Sequence, residues 1–336
     1  MGKPLRWGIL GAANIAIRQV IPGIQKGASG TVVAIASRTG VKAEQAARDL
    51  GIPRAHGSYE ALIEDAEVDA IYNPLPNHLH VPWSVKAADA GKHVLCEKPI
   101  GLNAQEVLEL IDARDRNKVV VGEAFMVRAQ PRWLAVKRLV AEGRIGEVGL
   151  IVGHFSYNRR DPNDVRSHLE WGGGALLDVG SYPITLSRWL FGEEPTEVVA
   201  LIERDPEFGI DRLTSAILRF PRGQASFTCA GQLVLHQRFQ VLGSRGRIEV
   251  EVPYNPPADK PSRLVIDEGK GLALEGAEVM EFPAVNQYAV QAEAFAAAVR
   301  GEGEVPVTLE DAMANMRVID ALFRSSETRQ WERVAR

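Results

Sequence analysis

Residues 7–16 read Trp7-Gly8-Ile9-Leu10-Gly11-Ala12-Ala13-Asn14-Ile15-Ala16. An apolar run, Arg6–Leu10, stops at a glycine, and helical spacing begins at Ile15 and runs to Gln25. A strand that turns through glycine directly into a helix opens the dinucleotide fingerprint, Gly-x-Gly-x-x-Gly/Ala. Gly11 supplies the tight turn. Ala13 stands where the second glycine would be, and Ala16 is the small residue that lets the helix pack on the strand. The helix start, at Asn14 and Ile15, then offers unpaired N–H groups and a partial positive charge to a pyrophosphate. Alanine at the second position puts a methyl group where backbone would approach phosphate. On these residues alone, a tight turn that holds no ligand stays open.

The alternation continues outward. Val32–Ala36 is a β-rich run, Lys42–Leu50 an Ala-rich helix stopped by Gly51, and Ser58 caps a helix beginning at Tyr59. Val68–Tyr72 reads as a strand, Val81–Ala90 as a helix ended by Gly91, and His93–Cys96 as a strand. Asn103 caps a helix running to Asn117, and Val119–Val121 is a further strand. Such alternation implies a parallel sheet, and right-handed crossovers make it doubly wound. Near residue 125 the pattern changes. Helical spacing covers Arg132–Glu142 and Leu176–Leu190. Strand-like runs cover Val148–Tyr157, Thr196–Glu203, Thr214–Phe220, Gln224–Leu235, Phe239–Leu242 and Ile248–Val252. Strands without intervening helices read as an antiparallel sheet. Asn255–Pro261 reads as an exposed loop, and Gln287–Arg300 and Leu309–Thr328 as closing helices. The expected fold is an α/β Rossmann domain with a doubly wound parallel sheet over residues 1–124. An α+β domain with a large, mostly antiparallel open sheet follows over residues 125–336.

The totals agree with two domains. A chain of 336 residues exceeds what one core of ~250–300 residues sustains. Hydrophobic residues at 46% and charged residues at 24% argue against disorder. A net charge of −4 without a basic run argues against a nucleic-acid partner. Cys96 and Cys229 make neither a disulfide framework nor a zinc site, and His56, His154, His168 and His236 lack metal-ligand spacing, so no metal is expected. The opening stretch, from Lys3 and Arg6 into Trp7–Ala13, shows no cleavage-site pattern, and no run reaches the ~18 apolar residues of a membrane span. The expectation is a soluble, cytoplasmic chain with no membrane partner.

Four further stretches carry chemistry. At the end of the second strand, where a carboxylate would hold the ribose 2′-hydroxyl of NAD, the chain has Ser37-Arg38. A hydroxyl and a guanidinium suit the 2′-phosphate of NADP, with NAD kept as the alternative. After the fourth strand come Pro76-Asn77-His78-Leu79-His80, where Pro76, Asn77 and His80 are candidate contacts to the nicotinamide end of the cofactor. Glu97-Lys98-Pro99 follows the fifth strand, at the sheet edge where ligands bind, and Glu97 and Lys98 are candidates there too. Lys98 can donate to a substrate hydroxyl or the nicotinamide ribose. The fourth stretch is Gly172-Gly173-Gly174-Ala175-Leu176-Leu177-Asp178-Val179-Gly180-Ser181-Tyr182-Pro183. Three glycines read as a flexible loop entering a helix, on which Asp178 and Tyr182 share a face. A phenol is a poor base at neutral pH, and a nearby ammonium would stabilise its anion. Pairing Lys98 with Tyr182 is chemically sensible if the fold brings them together; a tyrosine packed in the second core is the competing reading.

Together these stretches resemble the Gfo/Idh/MocA oxidoreductase family over nearly the whole chain. The resemblance rests on residues 7–16, on Pro76–His80, on Gly91-Lys92-His93-Val94-Leu95-Cys96-Glu97-Lys98-Pro99 and on Gly172–Tyr182. Many members carry His where this chain has Tyr182. The tyrosine version resembles the branch of NADP-dependent D-xylose dehydrogenase, dimeric dihydrodiol dehydrogenase and glucose–fructose oxidoreductase. By that resemblance Lys98 and Tyr182 are the catalytic pair, and Asp178 orients the substrate. Glu123-Ala124-Phe125-Met126-Val127-Arg128 resembles the pocket-lining strand end, which makes Arg128 a substrate contact. The resemblance implies hydride transfer between NADP and a sugar or polyol. It also implies a homo-oligomer, dimer or tetramer, assembled through the face of the second sheet. Two other functions stay open at this point: a redox-neutral NAD-dependent glycosidase of the same family, and a non-catalytic cofactor sensor.

Overall fold

The computed structural model describes residues 4–28 and 30–335; Lys3 lies outside them. The chain divides into two compact units, Met1–Gln130 with Asn286–Met313, and Pro131–Val285 with Ala314–Arg336.

The first unit is built on strands β1 (Leu5–Leu10), β2 (Gly30–Ala36), β3 (Arg54–His56), β4 (Ala70–Asn73), β5 (His93–Glu97) and β6 (Val121–Ala124), in the order β3-β2-β1-β4-β5-β6. All its pairings are parallel. The order reverses between β1 and β4, the switch point where doubly wound sheets bind ligands. Apolar β1 and β4 are buried on both faces, as central parallel strands are. The expected caps form: Ser58 Oγ accepts from the Ala61 N–H at 3.2 Å, and Asn103 Oδ1 from the Glu106 N–H at 3.1 Å.

The segment 286–313, expected in the second domain, belongs to this first unit. Its helix Gln287–Val299 seats Phe295 against Trp7 of β1, ring centroids 5.4 Å apart, and both rings are fully buried. Ala289 lies so close to Gly23 that a Cβ there would stand 3.0 Å from its backbone nitrogen. The Glu123 N–H donates to the Val307 carbonyl at 3.1 Å. Burial of this late helix completes a core that the first 124 residues leave open.

The second unit holds a nine-stranded sheet of β7 (Val148–Asn158), β8 (Glu197–Arg204), β9 (Asp211–Phe220), β10 (Gly223–Ala230), β11 (Gln232–Gly243), β12 (Arg247–Val250), β13 (Ser262–Asp267), β14 (Glu278–Phe282) and β15 (Glu332–Arg333). Only the β7–β10 pair is parallel. The run expected as one strand, Gln224–Leu235, is two: the chain breaks at Gly231, and β11 continues through the stretch expected separately at Phe239–Leu242. The sheet has a buried and an open face. Ala216, Leu218, Phe227, Ile151, Phe239 and Val241 are buried. Val199, Leu201, Ile217, Val152, His154 and Gln240 point the other way, with Leu201 71% exposed. Among the described residues no helix is long and apolar enough to cross a membrane.

Phe295 tests the assignment of the late helix. Phe295→Ala should cost ~3–5 kcal/mol in denaturant unfolding, as a fully buried phenylalanine does. A loss under ~1 kcal/mol would mean that the helix is not part of the core of the first unit.

Candidate active site

The carboxyl ends of β1, β2, β4 and β5 form one edge of the first sheet, and the cofactor candidates lie there. After β1 the chain turns at Gly11, whose φ of +89° disfavours any side chain. A Cβ there would also meet Leu75 at 3.0 Å. The Gly11 N–H donates to the Ala36 carbonyl of β2 at 2.9 Å. A helix follows, opening with a wide π-type turn, Ala16–Val20, and continuing as Ile21–Lys26. The Ile17 N–H donates to the Ala13 carbonyl at 3.0 Å, so Asn14 and Ile15 fall in the first turn, where N–H groups lack intrahelical acceptors. At the end of β2, Ser37 is buried and Arg38 exposed. Tyr59, which no motif marks, places its hydroxyl 3.6 Å from the Cβ site of Gly11. Its pKa is raised by burial and drawn down in part by the nearby Arg38 charge. A glycine turn, an open helix start and a Ser–Arg strand end free of carboxylate together fit a dinucleotide with a 2′-phosphate.

The loops after β4 and β5 are tied to each other. Asn73 Nδ2 donates to the His80 carbonyl and to Ser84 Oγ, each at 3.0 Å, and its Oδ1 accepts from the Leu75 N–H at 3.2 Å. His80 is 1% exposed, and its two ring nitrogens lie 2.7 Å from the carbonyl oxygens of Pro99 and Leu75. This histidine, a candidate cofactor contact, joins the two loops. Burial holds its pKa down to about 4 against the pull of both carbonyls. Pro76 and Asn77 open the short turn Asn77–Leu79 on the same loop. The Lys98–Pro99 bond is cis. Glu97 Oε1 accepts from the buried Tyr72 hydroxyl at 2.6 Å, so the carboxylate is turned toward the sheet. Arg128, expected at the substrate, pairs with Asp311 at 2.7 Å and is mostly buried, which ties the turn Met126–Arg128 to the late segment.

In the second unit the glycines lead into a wide turn, Leu176–Gly180, and the helix Ser181–Phe191. Asp178 and Tyr182 are both buried. The Tyr182 ring lies against Phe155 and Tyr254, centroids 5.8 and 5.3 Å away. The Gly172–Gly174 stretch is not the loose loop expected. A Cβ at Gly174, where φ is +113°, would stand 1.9 Å from Asp211 Oδ1. Asp211 Oδ2 accepts from the Leu176 N–H at 2.6 Å, and burial pushes its pKa up to about 7. Tyr157 and Arg166 both reach Asp178. Nothing local in the sequence marks Tyr157, Arg166 or Asp211, because their partners are distant along the chain. Among the described residues, no group of three or more His, Cys, Asp or Glu could hold a metal.

Strand order and glycine turn define the class, a dinucleotide-binding Rossmann protein. Comparison with known proteins then gives the family. Residues 5–125 match the oxidoreductase family with an NAD-binding Rossmann fold, and residues 133–249 match the GFO/IDH/MocA C-terminal domain. An uncharacterized oxidoreductase of Rhizobium meliloti is 45% identical over 98% of this chain and 99% of its own length. A D-xylose 1-dehydrogenase (NADP(+)) of Haloferax volcanii is 36% identical over 96% and 98%. Among solved structures, a 3-ketoreductase from Actinomadura kijaniata, in complex with NADP and TDP-benzene, superposes with a TM-score of 0.88. It is 30% identical and covers 96% of this chain and 98% of its own. This chain belongs to the Gfo/Idh/MocA family and is an NAD(P)-binding oxidoreductase.

The buried carboxyl of Asp211 gives a pH signature. Its pKa is about 7 in the folded protein against an ordinary 3.8, so between those values the folded state binds more protons than the unfolded one. Stability contributed by this group is therefore full below that window and falls as pH rises through it. The melting temperature should drop from about pH 4 to about pH 7, and Asp211→Asn should flatten the drop. Parallel profiles for the two proteins would show that Asp211 titrates normally.

Proposed function

We propose that this chain is an NADP-dependent dehydrogenase or reductase acting on a CH–OH group of a sugar or polyol. The observation that carries the reading is the stretch ending in Asp178 and Tyr182. It is a buried carboxylate with a phenol one helical turn later, in a chain whose other unit carries the cofactor turn. Ser37 and Arg38 supply the preference for the 2′-phosphate, and the NADP-linked activity of the Haloferax relative points the same way. Solved forms of the 3-ketoreductase include a Tyr-to-Phe and a Lys-to-Ala variant with NADP bound, which fits a tyrosine and a lysine of functional interest in the family.

Asn14 and Ile15 would hold the pyrophosphate of NADP at the helix start, with Gly11 and Ala13 keeping the backbone close. Pro76, Asn77, Glu97 and Lys98 line the nicotinamide end, with His80 beneath them. NADP held there would supply the hydride acceptor for oxidation or the hydride donor for reduction. In oxidation, Tyr182 takes the proton of the substrate hydroxyl as the C–H bond gives up its hydride. In reduction, Tyr182 returns that proton to the carbonyl oxygen. Lys98 supplies the positive charge that favours the phenolate, and Asp178 accepts a hydrogen bond from a substrate hydroxyl. Proton transfer by a positioned group is worth ~10²–10⁴-fold.

The open face of the second sheet, with Leu201 and Ile217 exposed on it, supports a symmetric homo-oligomer built from copies of this face. The buried thiols Cys96 and Cys229, neither in a disulfide, fit a reducing, cytoplasmic setting.

Tyr182→Phe keeps the ring packing and removes only the oxygen. It should leave NADP affinity nearly unchanged and lower kcat by ~10²-fold or more with the best sugar found. Near-normal turnover, with chemistry rate-limiting, would make Tyr182 a core residue and leave the proton transfer to Lys98.

A further inference from the structure

Asp178 is held by two donors on one oxygen. Its Oδ2 accepts from Arg166 Nε at 2.6 Å and from the Tyr157 hydroxyl at 2.7 Å. Tyr157 comes from β7, and Arg166 from the loop between β7 and the turn that carries Asp178. The two donors therefore approach from different elements, and the carboxylate cannot rotate without breaking both bonds.

Arg166 is itself fixed. Asp164 Oδ1 accepts from the Arg166 backbone N–H at 3.0 Å and from its Nη1 at 3.3 Å. The other oxygen of Asp164 accepts from Arg159 Nη1 at 2.6 Å. The result is an alternating chain of charges, Arg159–Asp164–Arg166–Asp178, that ends on the Tyr157 phenol. The loop is pinned by Ser167 Oγ donating to the Asp161 carbonyl at 2.6 Å. The Gly174 N–H donates to the Arg166 carbonyl at 3.1 Å. A Cβ at Gly173 would stand 2.5 Å from that same carbonyl oxygen and 2.7 Å from that of His168. The glycine run is thus what lets the arginine loop press against the start of the Asp178 turn.

The charges reinforce the geometry. The Asp178 charge raises the Arg166 pKa, so the guanidinium is charged at all ordinary pH. Burial, followed by the Asp178 charge, raises the pKa of Tyr157, so its hydroxyl stays a donor. From the sheet side, Cys229 lies near enough to Asp178 and Asp211 for both charges to raise its pKa, after burial.

We propose that Arg166, assisted by Tyr157, is a positioning residue that fixes Asp178 as a charged acceptor for a substrate hydroxyl. This rests on the assignment of Asp178 to substrate orientation. A carboxylate locked in this way recognises a donor and repels an anion. At this point the substrate therefore presents a neutral hydroxyl and not a carboxylate or phosphate.

The test is the pH dependence of kcat and kcat/KM for NADP-linked turnover of the best sugar by the full chain. It compares the wild type with Asp178→Asn, Arg166→Met, Arg166→Lys and Tyr157→Phe, each checked by thermal melting. Arg166→Met should lower kcat/KM by ~10–100-fold, the scale of a misplaced positioning group. It should also move the acid limb to higher pH, because the carboxylate has lost its cation. Arg166→Lys should restore most of the acid limb, and Tyr157→Phe should lose several-fold with a smaller shift. If Arg166→Met does not fold, Arg166→Lys and Tyr157→Phe carry the comparison through the same acid limb. Impaired Asp178→Asn beside Arg166 and Tyr157 variants of normal kcat/KM and unshifted acid limb would overturn this inference alone. An unimpaired Asp178→Asn would overturn it together with the substrate role of Asp178.

Discussion

The cofactor edge depends on the absence of a side chain at two positions of one strand and its turn. A Cβ at Gly8 would stand 2.9 Å from Val68 and 3.1 Å from Ile71 and Leu62, so β1 can lie at the middle of the sheet only as glycine there. Gly11 then takes a φ of +89° beneath Leu75 while donating to β2. These two contacts set where the following helix begins, and so where its unpaired N–H groups point. The ends of β2, β4 and β5 are in turn referred to β1 through the parallel register. Ser37, Arg38, Asn77 and Lys98 thus acquire a common edge from a constraint written in a few residues.

Much of this was legible because it is local. A cap and its acceptor are three residues apart, as at Ser58 and Asn103, and a helix such as Leu309–Thr328 declares itself by periodicity over its own length. Strand identity is legible in the same way, except at Gly231, which apolar neighbours make look like strand interior but which separates two strands. The destination of segment 286–313 was not legible. Its apolar face is plain, but that Phe295 meets Trp7 depends on packing across almost the whole chain.

The site divides along the same line. Residues selected by motif stand at the expected strand ends, while the partners of those residues were invisible. His80 looked like a cofactor contact because it follows a strand end; its burial between two carbonyls makes it a tie between loops. Arg128, a substrate candidate from its strand-end motif, is paired with Asp311, a partner that no local pattern reveals. Conversely, Arg166 has no motif of its own and gains meaning only from the carboxylate it holds. The glycine run Gly172–Gly174 is the instructive case. Composition reads it as flexible, yet the missing side chain of Gly173 makes room for the carbonyl oxygens of Arg166 and His168, and that of Gly174 for a carboxylate oxygen of Asp211. Close approach and flexibility use the same residue, and only the neighbours tell them apart.

Ser37 and Arg38 at the end of β2 suit a dinucleotide carrying a 2′-phosphate. Equilibrium titration with NADP and with NAD, on the wild type and on Arg38→Asp, tests it without any knowledge of the substrate. The wild type should bind NADP at least ~10-fold tighter than NAD, and the substitution should reverse the order, since a carboxylate repels the phosphate and accepts from a ribose hydroxyl. Equal or tighter binding of NAD by the wild type, or an order left unchanged by Arg38→Asp, would contradict it.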